Sequence, residues 1–225
     1  MLTDPAVTTS SRADMKSVIC FGDSNTYGYD PVTGGRYDEN TRWPCVLQRL
    51  LGDGYSIVEE GCNGRTTVFE DPNDDWKNGL DYIKGIVCSH RPVDILVIML
   101  GSNDMKICYG ASCEQIAEGM REVVRAAVGT LLYKQKYAPE VIIVSPPEIT
   151  KDVQSGPFSG SFDEECCRKS RYLASYYESL ALELGVSFLN AAEYIRPSET
   201  DGLHLTAEAH KGLAEAVASK ILGSA

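Results

Sequence analysis

From Lys16 onward, short apolar runs alternate with longer stretches of helical periodicity. Ser17–Phe21 (SVICF) is apolar at nearly every position and ends at Gly22, the pattern of a strand covered on both faces. Trp43–Leu51 spaces its apolar residues along one helix face. Tyr55–Glu60 is a second strand, closed by Gly61. Leu80–Ser89 reads as a helix. Val93–Leu100 (VDILVIML) is the strongest strand in the chain, bounded by Pro92 and Gly101. A long amphipathic helix follows over Cys113–Lys134, then a strand over Glu140–Val144 that Pro146 and Pro147 stop. Glu164–Leu184 is helical, with Gly185 as its C-cap. Val186–Leu189 is a fifth strand. The last helix runs over Ala207–Leu222, with Thr206 at its N-cap.

Alternation of strand and helix builds βαβ units and a parallel sheet. Strands that are apolar on both faces need helices on both sides. The expected architecture is therefore α/β, a three-layer doubly wound sandwich around five parallel strands. No linker or composition break divides it, so residues 15–225 are expected to form one domain. Residues 1–14 (MLTDPAVTTSSRAD) read as a flexible polar tail without the basic-then-apolar order of a secretory leader. Sheets of this kind bind ligands beyond the carboxyl ends of their strands. That is where chemistry is to be sought.

Composition narrows the partners. Lysine and arginine number 21 against 32 aspartates and glutamates, a formal net charge of −11. A phosphate backbone or an anionic membrane surface is recognised through basic residues, and no basic run occurs, so neither is an expected partner. No apolar stretch approaches the roughly 18 residues of a membrane span. Eight cysteines, at 20, 45, 62, 88, 108, 113, 166 and 167, show no zinc spacing. Several fall inside apolar patterns, where cysteine acts as a small hydrophobe. Unpaired structural thiols fit a cytoplasmic protein. Asp71, Asp74 and Asp75 lack the alternating spacing of a calcium loop and read as turn residues; no metal or other cofactor is expected.

Four polar turns stand out by position. Gly22-Asp23-Ser24 follows the first strand, Gly61-Cys62-Asn63-Gly64 the second, Gly101-Ser102-Asn103-Asp104 the third, and Asp201-Gly202-Leu203-His204 precedes the last helix. Each alone is an ordinary turn sequence. Together they hold a hydroxyl nucleophile, backbone and amide donors for an oxyanion, and a histidine with a carboxylate three residues before it. That separation lets the carboxylate reach Nδ1 and leaves Nε2 free to take a proton. His90 and His210 have no such partner nearby and read as structural or solvated.

In these four blocks the chain resembles the SGNH (GDSL) hydrolase family. The motifs are Ser24 in GDSNTYG, Gly64 in EEGCNGRTT, Asn103 in MLGSND and His204 in DGLHLT, and the resemblance spans about residues 16–222. It is strongest to the family's small arylesterase/acyltransferase branch, through Arg42-Trp43, Glu59–Thr67, Asp71-Pro72, Asn78-Gly79, Ser145-Pro146-Pro147 and Asp201-Gly202. Asn25 departs from the leucine that usually follows the nucleophile, and the segment from Glu148 to Phe162, a lid or contact loop, matches poorly. The resemblance implies a flavodoxin-like sandwich and a serine esterase for small, short-acyl esters, with acyl transfer as a further capacity. It makes Ser24 the nucleophile, His204 the base, Asp201 its orienter, and Ser24, Gly64 and Asn103 the oxyanion hole. It also implies a homo-oligomer, octamers being known in that branch. A carbohydrate acetylesterase is the rival enzyme, and an SGNH-like binding module the rival outside catalysis. Asp23, Asn25, Tyr27 and Trp43 are the expected pocket residues, with Tyr29 beside them.

Overall fold

The computed structural model describes residues 15–72 and 74–223; the expected tail at 1–14 lies outside them. Five strands, β1 (Lys16–Gly22), β2 (Tyr55–Gly61), β3 (Ile95–Met99), β4 (Glu140–Ser145) and β5 (Ser187–Asn190), pair in parallel in the order β2-β1-β3-β4-β5. Among the described residues six α-helices accompany them: α1 (Ser24–Tyr27), α2 (Trp43–Leu51), α3 (Gly79–Ser89), α4 (Cys113–Gln135), α5 (Glu164–Leu184) and α6 (Ala207–Gly223).

Alternation along the strands sorts the side chains into two cores. Ile19, Phe21, Leu96, Ile98, Val141 and Ile143 pack under α3, α4 and α5. Val18, Cys20, Ile95, Val97, Ile142 and Val144 pack under α2 and α6. This is the doubly wound sandwich the sequence pattern implies, and its strand order reverses between β1 and β3. At such a switch point the connections leave in opposite directions and open a crevice beyond the strand ends.

Thr206 and Gly185 cap their helices as the sequence reads, and a further cap lies at the start of α4. Thr206 Oγ1 accepts from Ala209 N at 3.2 Å at the start of α6. Gly185 closes α5 at φ +66°, and Ser112 and Gln115 form a reciprocal capping box on α4. Each of the five strands differs from expectation by one or two residues at one end or both, and the two late starts have a visible cause. β3 begins at Ile95 rather than Val93, because the Gln135 side-chain amide bonds both the Val93 N–H (3.0 Å) and its carbonyl (2.8 Å). β5 begins one residue late, because Val186 N–H turns back to the Ala181 carbonyl at 3.0 Å to finish the α5 cap. All eight cysteines are free thiols, and Cys20, Cys113, Cys166 and Cys167 are buried. Among the described residues no helix is long and apolar enough to cross a membrane.

The carboxyl ends of β1 and β2 meet very closely. Gly22 lies opposite both Gly61 and Met99. A Cβ on Gly61 would lie 2.1 Å from the Tyr27 backbone nitrogen, so only glycine lets α1 settle there. Gly61→Ala is expected to lose roughly 2–3 kcal/mol to overpacking, a fall of roughly 4–10 °C in Tm for a chain of this size. Gly54→Ala, which meets open space, is the control. Equal melting curves for the two variants would contradict this account of the contact.

Candidate active site

Ser24 is the first residue of α1, immediately past β1. Asp23 caps that helix, its Oδ1 accepting from Asn25 N at 2.9 Å. A serine so placed points its hydroxyl away from the sheet and toward the crevice. His204 comes to it from 180 residues further on, with Nε2 2.9 Å from Ser24 Oγ. Its Nδ1 lies 2.7 Å from Asp201 Oδ2, while Asp201 Oδ1 accepts the backbone N–H groups of Leu203 (3.0 Å) and His204 (2.9 Å). The carboxylate is thus held by its own turn before it holds the ring. Serine, imidazole and carboxylate form one unbroken hydrogen-bonded chain, and all three residues are buried.

Gly64 and Asn103 arrive from the ends of β2 and β3. Gly64 adopts φ +80°, a left-handed turn open to glycine. The Asn103 amide donates to the Arg65 carbonyl at 3.2 Å and only loosely to Asp23 Oδ2 at 3.5 Å, so one of its two hydrogens is weakly engaged. Arg65 is buried and, among the described residues, meets no carboxylate at ion-pair distance; its guanidinium donates to the carbonyls of Gly22 (3.0 Å) and Glu60 and lies over the Phe21 ring at 4.3 Å. This one side chain ties the end of β1 to the end of β2, while its main chain orients Asn103.

Ser24, Gly64, Asn103 and His204 line a cleft of about 460 Å³. Tyr29 and Phe158 flank the His204 ring, with centroids 4.2 and 5.1 Å from it. Trp76, Lys77, Asp74 and Lys106 form much of the remaining wall. Among the described residues no group of three or more His, Cys, Asp or Glu side chains is arranged to hold a metal ion. The arrangement is equipped to move a proton off Ser24 and to receive a negative oxygen beside Gly64 and Asn103.

Residues 20–211 match the model of the GDSL-like lipase/acylhydrolase family. The chain belongs to that family, and with it to the ester hydrolases. It is 37% identical to a carbohydrate acetylesterase from Sinorhizobium meliloti, with TM-score 0.86 over 93% of this chain and 100% of that one. It is 33% identical to the M. smegmatis aryl esterase, again with TM-score 0.86, over 92% and 99% of the two chains. A curated acetylxylan esterase of Xylanibacter ruminicola is 26% identical across 93% of this chain, which spans only 44% of that longer protein.

Burial sets the charges around this GDSL-family site. Asp201 is desolvated, which raises its pKa, but the hydrogen bonds from the His204 ring and backbone outweigh that and hold it below the usual carboxylate value. It is therefore the ionised partner at neutral pH. Asp23 is pushed up to about 6 by burial, offset in part by the Asn25 N–H and by the charges of His204 and Arg65. Asp104 is also pushed up to about 6 by burial, with Thr67 hydrogen bonds opposing and Asp23 repulsion adding.

Ser24, Gly64, Asn103, Asp201 and His204, singled out in the sequence, lie together here. The expected pocket residues do not line the cleft. Asp23 caps α1. Asn25 turns inward, its Oδ1 accepting from Leu205 N (3.1 Å) and its Nδ2 donating to the Leu203 carbonyl (3.3 Å), so it grips both neighbours of His204. Tyr27 stacks under the Arg36 guanidinium at 4.5 Å. Trp43 is a core residue at 1% exposure, its backbone N–H donating to His210 Nδ1 at 3.3 Å; burial pushes His210 down to about 4. Helix formation at α2 turns Trp43 into the sheet, which its closeness in sequence to the Tyr27–Tyr29 loop concealed. Tyr29 does line the cleft. Phe158, Trp76, Lys77 and Lys106 were missed, because they sit on loops without periodicity. The only signal for Lys106 was its place three residues after Asn103.

Asp104 generates a pH prediction. Thr67 donates to its Oδ1 from N at 2.9 Å and from Oγ1, while Oδ2 is buried without a partner among the described residues. A carboxyl whose folded pKa is about 6, against about 3.9 unfolded, binds its proton more tightly when folded. Its contribution to stability is full below pH 4 and is lost as pH rises through 6. Asp104→Asn keeps the Oδ1 acceptor and cannot ionise. Relative to wild type, it is expected to gain roughly 2–3 kcal/mol between pH 4 and pH 8. Urea unfolding at a series of pH values checks this, and parallel profiles for the two proteins would contradict it.

Proposed function

We propose that the protein is a serine esterase for small, short-acyl esters, acting through Ser24, His204 and Asp201. The Ser24–His204–Asp201 hydrogen-bonded chain at the cleft carries this reading. Ser24 Oγ attacks the ester carbonyl while His204 Nε2 takes its proton. Ionised Asp201 holds the imidazole tautomer and stabilises the imidazolium. The carbonyl oxygen becomes an oxyanion received by the backbone N–H groups of Ser24 and Gly64 and the Asn103 amide. His204 then gives the proton to the leaving alcohol, and an acyl-Ser24 enzyme remains. Water, or a second alcohol, attacks that ester with His204 again as base; water gives hydrolysis and alcohol gives acyl transfer. Tyr29 and Phe158 against the imidazole exclude water from its faces, which strengthens each charge interaction there.

Deacetylation of carbohydrates is the second reading. Trp76 favours it, an indole 51% exposed on the cleft wall where a sugar ring can stack. Residues 15–225 acting as one unit, homo-oligomer formation and a cytoplasmic location complete the proposal. Eight free thiols support the reducing compartment. Exposed Tyr133, Tyr172 and Leu182 offer apolar surface for self-association, which light scattering measures.

Wild type is expected to hydrolyse p-nitrophenyl acetate, and Ser24→Ala, checked for folding, to lose roughly 10⁴-fold or more in kcat. Asn103→Ala is expected to lose roughly 2.7–4 kcal/mol of transition-state stabilisation. Undiminished rates in Ser24→Ala would remove the nucleophile assignment. Asn25→Ala frees both backbone neighbours of His204. It is expected to lower kcat roughly 10–100-fold through displacement of the base, with KM moving far less. A change confined to KM would return Asn25 to the substrate pocket.

A further inference from the structure

We propose that the cleft selects esters bearing a carboxylate, and that Lys106 is the residue that pairs with it. The proposal rests on the serine esterase reading and names the substrate class within it. Two lysines line the cleft, and they are held very differently. Lys77 is neutralised, its Nζ lying 3.1 Å from Asp71 and 2.5 Å from Asp74. Lys106, directly after the turn that presents Asn103, is half-buried, and no ion pair or hydrogen bond among the described residues engages its ammonium.

An ammonium taken partly out of water without a partner is costly, and an incoming anion offsets that cost. Burial, together with repulsion from Lys77, pushes the Lys106 pKa down; Asp71 and Asp23 oppose this through space without touching it. The ammonium is therefore under-compensated where it stands. A single free ammonium matches a single negative charge. A phosphate dianion would set a second charge beside Asp74, so a carboxylate is the fitting anion. Tyr29, Phe158 and Trp76 supply apolar wall for the rest of the molecule.

The test compares kcat/KM for matched charged and neutral esters. One pair is 4-acetoxybenzoate and its methyl ester, with the charge on the alcohol side. The other is the p-nitrophenyl hemiester of succinate and its methyl ester, with the charge on the acyl side. In Lys106→Met the charged-to-neutral ratio is expected to fall roughly tenfold in at least one pair, and Lys106→Arg to retain most of it. The responding pair identifies the side that faces Lys106. Ratios staying within about twofold of wild type in both pairs overturn the proposal. If wild type hydrolyses none of these esters, the esterase reading fails, and calorimetry with 4-hydroxybenzoate and succinate decides the anion site alone. Binding roughly tenfold weaker in Lys106→Met supports it, and equal or absent binding overturns it.

Discussion

The close approach of β1 and β2 at their carboxyl ends is the constraint on which the site depends. Gly22 and Gly61 face one another in register, and α1 rests on Gly61 through its backbone. The chain therefore turns at Ser24 directly above the sheet edge, within reach of turns that leave β2 and β3 at the same level. Side chains larger than hydrogen at these two positions would lift α1 and carry the Ser24 hydroxyl away from His204. The two glycines do no chemistry; they permit the approach.

A buried polar layer lies behind that contact. Asp23, Arg65 and Asp104 are almost fully removed from water. Groups of this kind destabilise a fold unless they are hydrogen-bonded. Here most are: Asp23 caps α1, Asp104 accepts from Thr67, and Arg65 bonds the carbonyls that end two strands. The residual strain in the scheme is visible in the raised pKa values of the two aspartates. A layer of hydrophobic side chains would pack at least as well, but it could not orient the Asn103 amide or terminate strands through their last carbonyls. The polar layer thus exchanges stability for alignment at one end of the sheet.

Asn25 shows how a residue beside the nucleophile can act on the base. A leucine there would fill space. The asparagine amide instead bonds on both sides of His204, 178 and 180 residues away in sequence. The base is held from two directions, by Asp201 along its ring and by Asn25 along its main chain. Phe158 belongs to the loop between β4 and α5 that matched the family poorly, yet its ring packs against the imidazole. The same loop also braces the turn that carries the base, since the Thr150 N–H donates to the Gly202 carbonyl at 2.9 Å, so variation in it bears on the cleft wall and on that turn together.

Much of this was legible along the chain. Local patterns set the five strands and the long helices, because period-two and period-3.6 burial each leave their own spacing of apolar residues. Four polar turns at strand ends marked Ser24, Gly64, Asn103 and His204, because a doubly wound sheet brings such ends together whatever the rest of the sequence. Asp201 was legible because its bond to His204 is local. The inward turn of Asn25, the burial of Trp43 against His210, the clasp of Arg65 and the cleft wall of Trp76, Lys77, Lys106 and Phe158 were decided only by the tertiary structure. Their partners lie on other elements, at distances in space that have no period in sequence. A side chain's direction into core or cleft is set by what packs beside it.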